Sequence, residues 1–199
     1  MNFYIVLIFL ITYLICSINP AIEICKRKTG EDIRKLGSGN AGTANAMRVL
    51  GKPLGVLVIL FDIGKVYLSY YIIAWITKLF GYTTEMTTFR TVFILATIIG
   101  HCFPIYYKFK GGKGVVVGMT LMMILEPKVV LICVISALVV MGITRTVAKG
   151  TIAGTVLYFI ISLVMGCDHI VAVIIATAIV MFKHRASIQR ILAKQEHKF

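Results

Sequence analysis

Seven blocks of apolar residues, separated by short polar stretches, run the length of this 199-residue chain. They cover roughly 3–22, 53–77, 91–104, 114–125, 129–143, 151–167 and 170–182. Crossing a ~30 Å hydrocarbon core as a helix takes ~20 residues, and the first two blocks reach that length. The other five hold 12 to 17 residues. Fifteen helical residues span only ~22 Å, so these blocks must borrow their polar flanks or re-enter without crossing. The expectation is an all-α polytopic membrane protein of about seven transmembrane helices, some short or re-entrant, forming a single domain over residues 1–199. The first block carries no charge. It lacks the basic start and small-residue cleavage site of a signal peptide, and reads as a true span.

Composition agrees with this pattern. Hydrophobic residues make up 59% and charged residues 15%, against ~25% charged in soluble domains. A soluble domain of this size could not cover so much apolar surface, and a disordered chain would have far less to bury. Charge adds direction. Lys and Arg number 21 against 8 Asp and Glu, a formal +13. A basic balance fits nucleic acid or bilayer orientation, and in a chain this apolar the second explanation is preferred. With seven crossings and the N-terminus outside, the inner segments are 23–52, 105–113, 144–150 and the tail 183–199. They hold 17 of the 21 basic residues, and the outer loops hold only Lys78, Arg90 and Lys128. This places the C-terminus in the cytosol and the protein in the plasma membrane. The five cysteines form no CxxC pair; they read as small hydrophobes, with no disulfide and no metal site.

The candidate chemistry lies on the inner side. Residues 31–52 read EDIRKLGSGNAGTANAMRVLGK. Gly37, Gly39 and Gly42 match GxGxxG, but no strand precedes them, so this is not a dinucleotide fingerprint. Clustered glycines let backbone N–H groups approach an anion, and Ser38, Asn40 and Thr43 add side-chain donors. A helix starting near Thr43 would set Asn45 and Arg48 three residues apart, with Arg48 able to grip phosphate bidentately. A plain turn with an orienting arginine accounts for the pattern equally well. The second segment, GHCFPIYYKFKGGKGV at 100–115, centres on Gly111-Gly112-Lys113-Gly114. It is not a Walker A motif. A glycine turn opening a helix, with an ammonium beside it, suits a phosphate or acyl phosphate. His101 reads as a structural histidine. In the tail, His184 and Ser187 share a helical face, either as a basic helix on anionic lipid or as phosphate ligands. Asp62 and Lys65 lie within the second block at i, i+3, as a mutual ion pair or a transport pathway.

Taken together, GSGNAGTANAMRVLGK, GHCFPIYYKFKGGKGV and KHRASIQRILAKQE resemble the bacterial acyl-phosphate:glycerol-3-phosphate acyltransferase family. The resemblance runs nearly the full length and includes Asp-Ile-Arg before the first motif and FDIGK in the second block. It implies a seven-helix enzyme with a cytosol-facing site. The implied reaction moves a fatty acyl group from acyl phosphate to the 1-hydroxyl of glycerol 3-phosphate, giving lysophosphatidic acid and phosphate. No cofactor and no metal are implied; the expected partners are the two substrates and membrane lipids, not nucleic acid. The resemblance assigns catalysis to Ser38, Lys113 and His184. It assigns substrate binding to Asn40, Asn45, Arg48, Gly111, Gly112 and Gly114, and the hydroxyls of Thr43 and Ser187, which stand where the family pattern differs, join them as candidates.

The chain departs from the family pattern at several points. Thr43-Ala44-Asn45 stands where the family has Ala-Thr-Asn. Ala148 replaces the first hydroxyl of Val-Ser-x-x-Ser, Ser187 replaces an Asn, and Lys194 replaces a Gly. These changes leave open an altered acceptor or a catalytically inactive paralogue, and Asp62 with Lys65 leaves open a small transporter.

Overall fold

The computed structural model describes residues 3–82 and 84–197; Lys198 of the basic tail lies outside them. Its elements are α1 (Phe3–Cys16), α2 (Pro20–Thr29), α3 (Thr43–Leu50), α4 (Lys52–Phe80), α5 (Met86–Cys102), α6 (Val115–Leu125), α7 (Pro127–Thr144), α8 (Val147–Met165) and α9 (Ile170–Leu192). Short 3₁₀ turns occupy Ile33–Lys35 and Ile105–Tyr107. Among the described residues there is no strand.

Each apolar block becomes helical, but the blocks differ in length from the sequence expectation. Six segments among the described residues are long and apolar enough to cross a membrane, counting Phe3–Thr29 as one. α7, α8 and α9 reach this length by recruiting polar flanks, and α5 does so together with the turn that follows it, as Met86–Tyr107. α6 does not: its 11 residues span only ~16 Å. It leaves α7 at the Glu126-Pro127 turn and runs back beside it. α7, with 18 residues, is ~27 Å long, so α6 ends well short of α7's far end. The GGKG turn is therefore set back into the bundle.

The first block is broken because Pro20 has no N–H to continue α1. Asn19 caps α2 instead, accepting the Ile22 N–H at 3.1 Å. Small residues set the helix spacing. A β-carbon on Gly150 would lie 2.4 Å from the Ala137 carbonyl oxygen, and one on Gly154 would lie 3.1 Å from that of Cys133. This i, i+4 glycine pair lets α8 lie against the α7 backbone, as in membrane helix pairs. Gly100 does the same for α5 against α1, with the Tyr13 carbonyl 2.7 Å from a built β-carbon. Phe93, Ile94, Ile98, Val117, Leu121 and Val173 fill the centre, while Leu60, Trp75, Leu138 and Val164 stand exposed on the outside. That distribution suits a lipid solvent. All five cysteines are free.

One polar assembly is buried in the bundle and a second, partly exposed, lies at its far end. Asp62 and Lys65 pair at 2.8 Å, and the Lys65 ammonium also donates to the Ile18 carbonyl at 2.8 Å and meets His101 Nδ1 at 3.0 Å. At the opposite end from the glycine turns, the Tyr158 hydroxyl donates to Glu126 at 3.1 Å. Glu126 faces His169 Nε2 at 3.2 Å, and His169 Nδ1 meets Asp168 at 2.7 Å. Asp168 also pairs with Arg90 at 3.2 Å.

Candidate active site

The first glycine segment is held by one side chain. Asn45, buried in the first turns of α3, accepts the Ser38 N–H at 2.8 Å. Its amide donates to the Ile33 and Leu36 carbonyls at 3.2 and 3.0 Å. Both amide hydrogens are thus committed to shaping the 36–39 loop. Gly37 and Gly39 take φ of 56° and 74°, the left-handed region that glycine enters without penalty. Arg48, three residues on, is exposed, and among the described residues its guanidinium has no partner. Asn45 and Arg48 therefore do not form one binding face, because the first turns inward and the second stays outside. The Ser38 hydroxyl is likewise free among the described residues. Asn40 lies over Gly42, its amide nitrogen 2.8 Å from where a β-carbon would sit. The Thr43 hydroxyl is buried without a hydrogen-bond partner. Ala44, where the family carries its hydroxyl, is exposed.

The second glycine segment is built differently. Gly111 and Gly112 donate their N–H groups to the Cys102 and His101 carbonyls, both at 3.2 Å. These two N–H groups are spent, which corrects the expectation that they face an anion. The glycines are needed for close approach instead. A β-carbon on Gly112 would lie 2.2 Å from His101 Nε2 and 2.9 Å from the Ala41 carbonyl oxygen. Gly112 thus presses one glycine segment against the other over the buried His101. Gly114, with φ 85°, starts α6, whose first turn leaves N–H groups without helical partners.

Lys113 is aimed at the tail. Its ammonium donates to the Ser187 hydroxyl at 2.6 Å. The same hydroxyl accepts from Arg190 Nη2 at 3.0 Å, and Ser187 is fully buried. Two cations therefore converge on one neutral oxygen. Burial lowers the Lys113 pKa to about 8, opposed by nearby Glu196 and reinforced by Arg190. Glu196 pairs with Arg190 at 2.7 Å. His184 is buried one turn before Ser187. Its Nδ1 faces the Val180 carbonyl at 2.8 Å and so carries the hydrogen, leaving Nε2 toward the Thr151 hydroxyl at 3.3 Å. Thr151 supplies the hydroxyl that survives in the third inner segment, while Ala148 is buried beside it.

Other residues, which motif reading did not single out, lock the segments together. Arg34 donates to the Tyr107 and Lys110 carbonyls at 2.8 and 3.0 Å while it pairs with Asp32, whose carboxyl it holds below the usual range. Asn19 donates to the Ala41 carbonyl at 3.1 Å. The Asp-Ile-Arg run is the only sequence signal for Arg34, and the Val-x-x-x-Thr remnant of the third motif the only one for Thr151; Arg190 has no distinguishing local pattern.

An apolar cavity of about 130 Å³ opens beside this cluster. Gly114, Thr151 and Val180 line its inner end, and Met122, Val130 and Tyr158 its far end. The polar cluster and the apolar cavity thus share Gly114 and Thr151. No group of His, Cys, Asp or Glu among the described residues could hold a metal ion.

Comparison with known proteins agrees over most of the chain. A family model described as glycerol-3-phosphate acyltransferase matches residues 6–194. A glycerol-3-phosphate acyltransferase of Aquifex aeolicus is 36% identical over 192 residues, covering 94% of this chain and 95% of that protein. One of Clostridioides difficile is 33% identical over 196 residues, covering 97% and 94%. Crystal structures of PlsY (YgiH), an integral membrane glycerol 3-phosphate acyltransferase, superimpose with TM-scores of 0.85 for a glycerol 3-phosphate form and 0.81 for a lysophosphatidic acid form. They are 32% and 30% identical to this chain, and each covers 98% of it and 95% of the solved chain.

Proposed function

The chain belongs to the glycerol-3-phosphate acyltransferase family of phospholipid synthesis, and from that premise we propose that its acyl donor is an acyl phosphate used at the cytosolic face. The observation that carries this reading is the shared border of cation cluster and apolar cavity at Gly114 and Thr151. An acyl phosphate has the same two halves, a doubly charged head and an apolar tail. The basic end of the bundle holds most of the chain's positive charge, which supports a cytosolic orientation by the positive-inside rule.

In the proposed reaction the 1-hydroxyl oxygen of glycerol 3-phosphate attacks the acyl carbonyl carbon. The new ester C–O bond forms as the carbonyl carbon's bond to the phosphate oxygen breaks. The hydroxyl proton passes to an oxygen of the departing phosphate. Phosphate is a good leaving group, so no covalent enzyme intermediate is required. Lys113 and Arg190, meeting at Ser187, hold the donor phosphate and stabilise charge on it as it leaves. Such preorganised cations act strongest where water is excluded. Arg48 and Ser38, with the buried Thr43 hydroxyl and His184, take the glycerol 3-phosphate. Asn45, Gly112 and Arg34 keep the two halves in register, since correct placement supplies much of the acceleration.

The alternatives fare worse. Asp62 and Lys65 satisfy one another beneath the glycine segments, which suits a supporting role, and the comparisons do not favour a transporter or a silent paralogue. The test is turnover by purified protein given acyl phosphate and glycerol 3-phosphate. Lysophosphatidate release with stoichiometric phosphate is expected. Folded protein that instead requires an acyl thioester, or makes no product, overturns the donor assignment.

A further inference from the structure

The apolar cavity has a floor. Tyr158 on α8 stands at its far end with Met122 of α6, Val130 of α7 and Val173 of α9. Tyr158 is 8% exposed, and its ring is fixed from behind. The hydroxyl donates to Glu126 at 3.1 Å, and Glu126 lies 3.2 Å from Nε2 of the buried His169. Neither Glu126 nor His169 lines the cavity, so the polar network lies beyond the ring and closes the end of the bundle. A tyrosine suits this position, apolar toward the cavity and polar toward the network.

The cavity is short. Thr151 to Tyr158 on α8, and Val180 to Val173 on α9, are each seven residues, or ~10 Å of axial length. A tail that fills one leaflet extends ~15 Å, half of the hydrocarbon core. A long chain therefore reaches the floor before it is fully housed. Its end must turn aside at the rim, where Met119 and Leu138 line the cavity and are exposed.

Building on the acyl-phosphate reading, we infer that Tyr158, braced by Glu126, sets the acyl-chain length that this enzyme accepts most efficiently. Chains that end at the ring gain burial with every added methylene. Chains that pass it gain nothing and must bend.

The experiment compares kcat/KM for saturated acyl phosphates from octanoyl to stearoyl, using full-length protein and its Tyr158→Ala, Tyr158→Trp and Tyr158→Phe variants. Tyr158→Ala opens the floor and raises the stearoyl-to-octanoyl ratio on the order of tenfold, the scale on which apolar pockets discriminate chain length. Tyr158→Trp lowers the ratio. Tyr158→Phe keeps the ring and leaves the ratio unchanged, even if the lost Glu126 bond lowers the melting temperature. If Tyr158→Ala and Tyr158→Trp both fail to fold, Val173→Ala and Val173→Phe make the same test from α9. Length profiles that superimpose on that of the unsubstituted protein, or that fall equally at all lengths, overturn the inference and mean that the tail leaves through the rim. The parent reading fails separately, through absence of product from every acyl phosphate with the unsubstituted protein.

Discussion

The two glycine-rich basic segments look alike on paper and differ in the molecule. In the 36–48 segment the glycines relieve backbone strain, one amide ties the loop, and the cation, Arg48, is exposed with no partner among the described residues. In the 111–114 turn the glycines are spacers, and the cation, Lys113, is half-buried beside a second cation with only a hydroxyl between them. Glu196, paired with Arg190, offsets part of the repulsion between two cations in a desolvated place, and an anionic substrate would offset the rest. The first segment is therefore read as an acceptor-side edge and the second as the charged centre. Each prediction presses on that difference.

The largest effect is expected from Lys113→Ala. Removing a charge aimed at the leaving phosphate should lower kcat/KM on the order of 10²–10³-fold, measured as lysophosphatidate release, with the melting temperature little changed. If Lys113→Ala and Arg48→Ala both left the rate intact, the assignment of the two segments would be wrong. Gly112→Ala should follow. Its β-carbon cannot share space with His101 and the Ala41 carbonyl, so the segments must part, and small misplacements cost ~10²-fold. Here kcat should fall for every donor length alike.

Asn45→Ala tests the first loop as a scaffold. It strands the Ser38 N–H and the Ile33 and Leu36 carbonyls, at roughly 1–3 kcal/mol for a buried group left unpaired. A lower melting temperature in detergent is expected, with loss of activity following loss of folded protein. A normal melting temperature with a selective rise in KM for glycerol 3-phosphate would instead make Asn45 a ligand.

The pH profile probes Lys113 directly. Its folded pKa of about 8 lies below the free value, so the ammonium is present below pH 8 and lost as pH rises through it. kcat/KM of the free enzyme should fall about tenfold from pH 7 to pH 9. Lys113→Arg, which keeps its charge, should move that alkaline limb upward. Arg48→Ala should be the mildest, raising KM for glycerol 3-phosphate severalfold with kcat and the donor KM held, as expected for uniform binding.

Much of the site was legible in the chain. Lys113, Ser187 and His184 stand in recognisable motifs, and Lys113 meets Ser187 one helical turn from His184. Thr43 carries the displaced hydroxyl, which is buried without a hydrogen-bond partner among the described residues. What motif reading could not supply was division of labour. Asn45 and Arg48 looked like a pair and are not. Gly111 and Gly112 looked like anion-binding amides and are close-packing residues. Arg190 looks ordinary in the chain and meets Ser187 in the fold.

The reason lies in the range of the forces. Hydropathy and charge act residue by residue against lipid and water, so the sequence alone determined that the chain is helical, membrane-embedded and basic at one end. Local glycine patterns likewise marked where the backbone turns. The contacts that make a site join residues far apart, Lys113 to Ser187 across 74 positions and Arg34 to Tyr107 across 73. Only the packing of α6, α8 and α9 around the set-back glycine turn decides which polar groups are consumed by the fold. Lys113 is left on a buried hydroxyl that Arg190, paired with Glu196, also meets, beside an apolar cavity that Tyr158 lines.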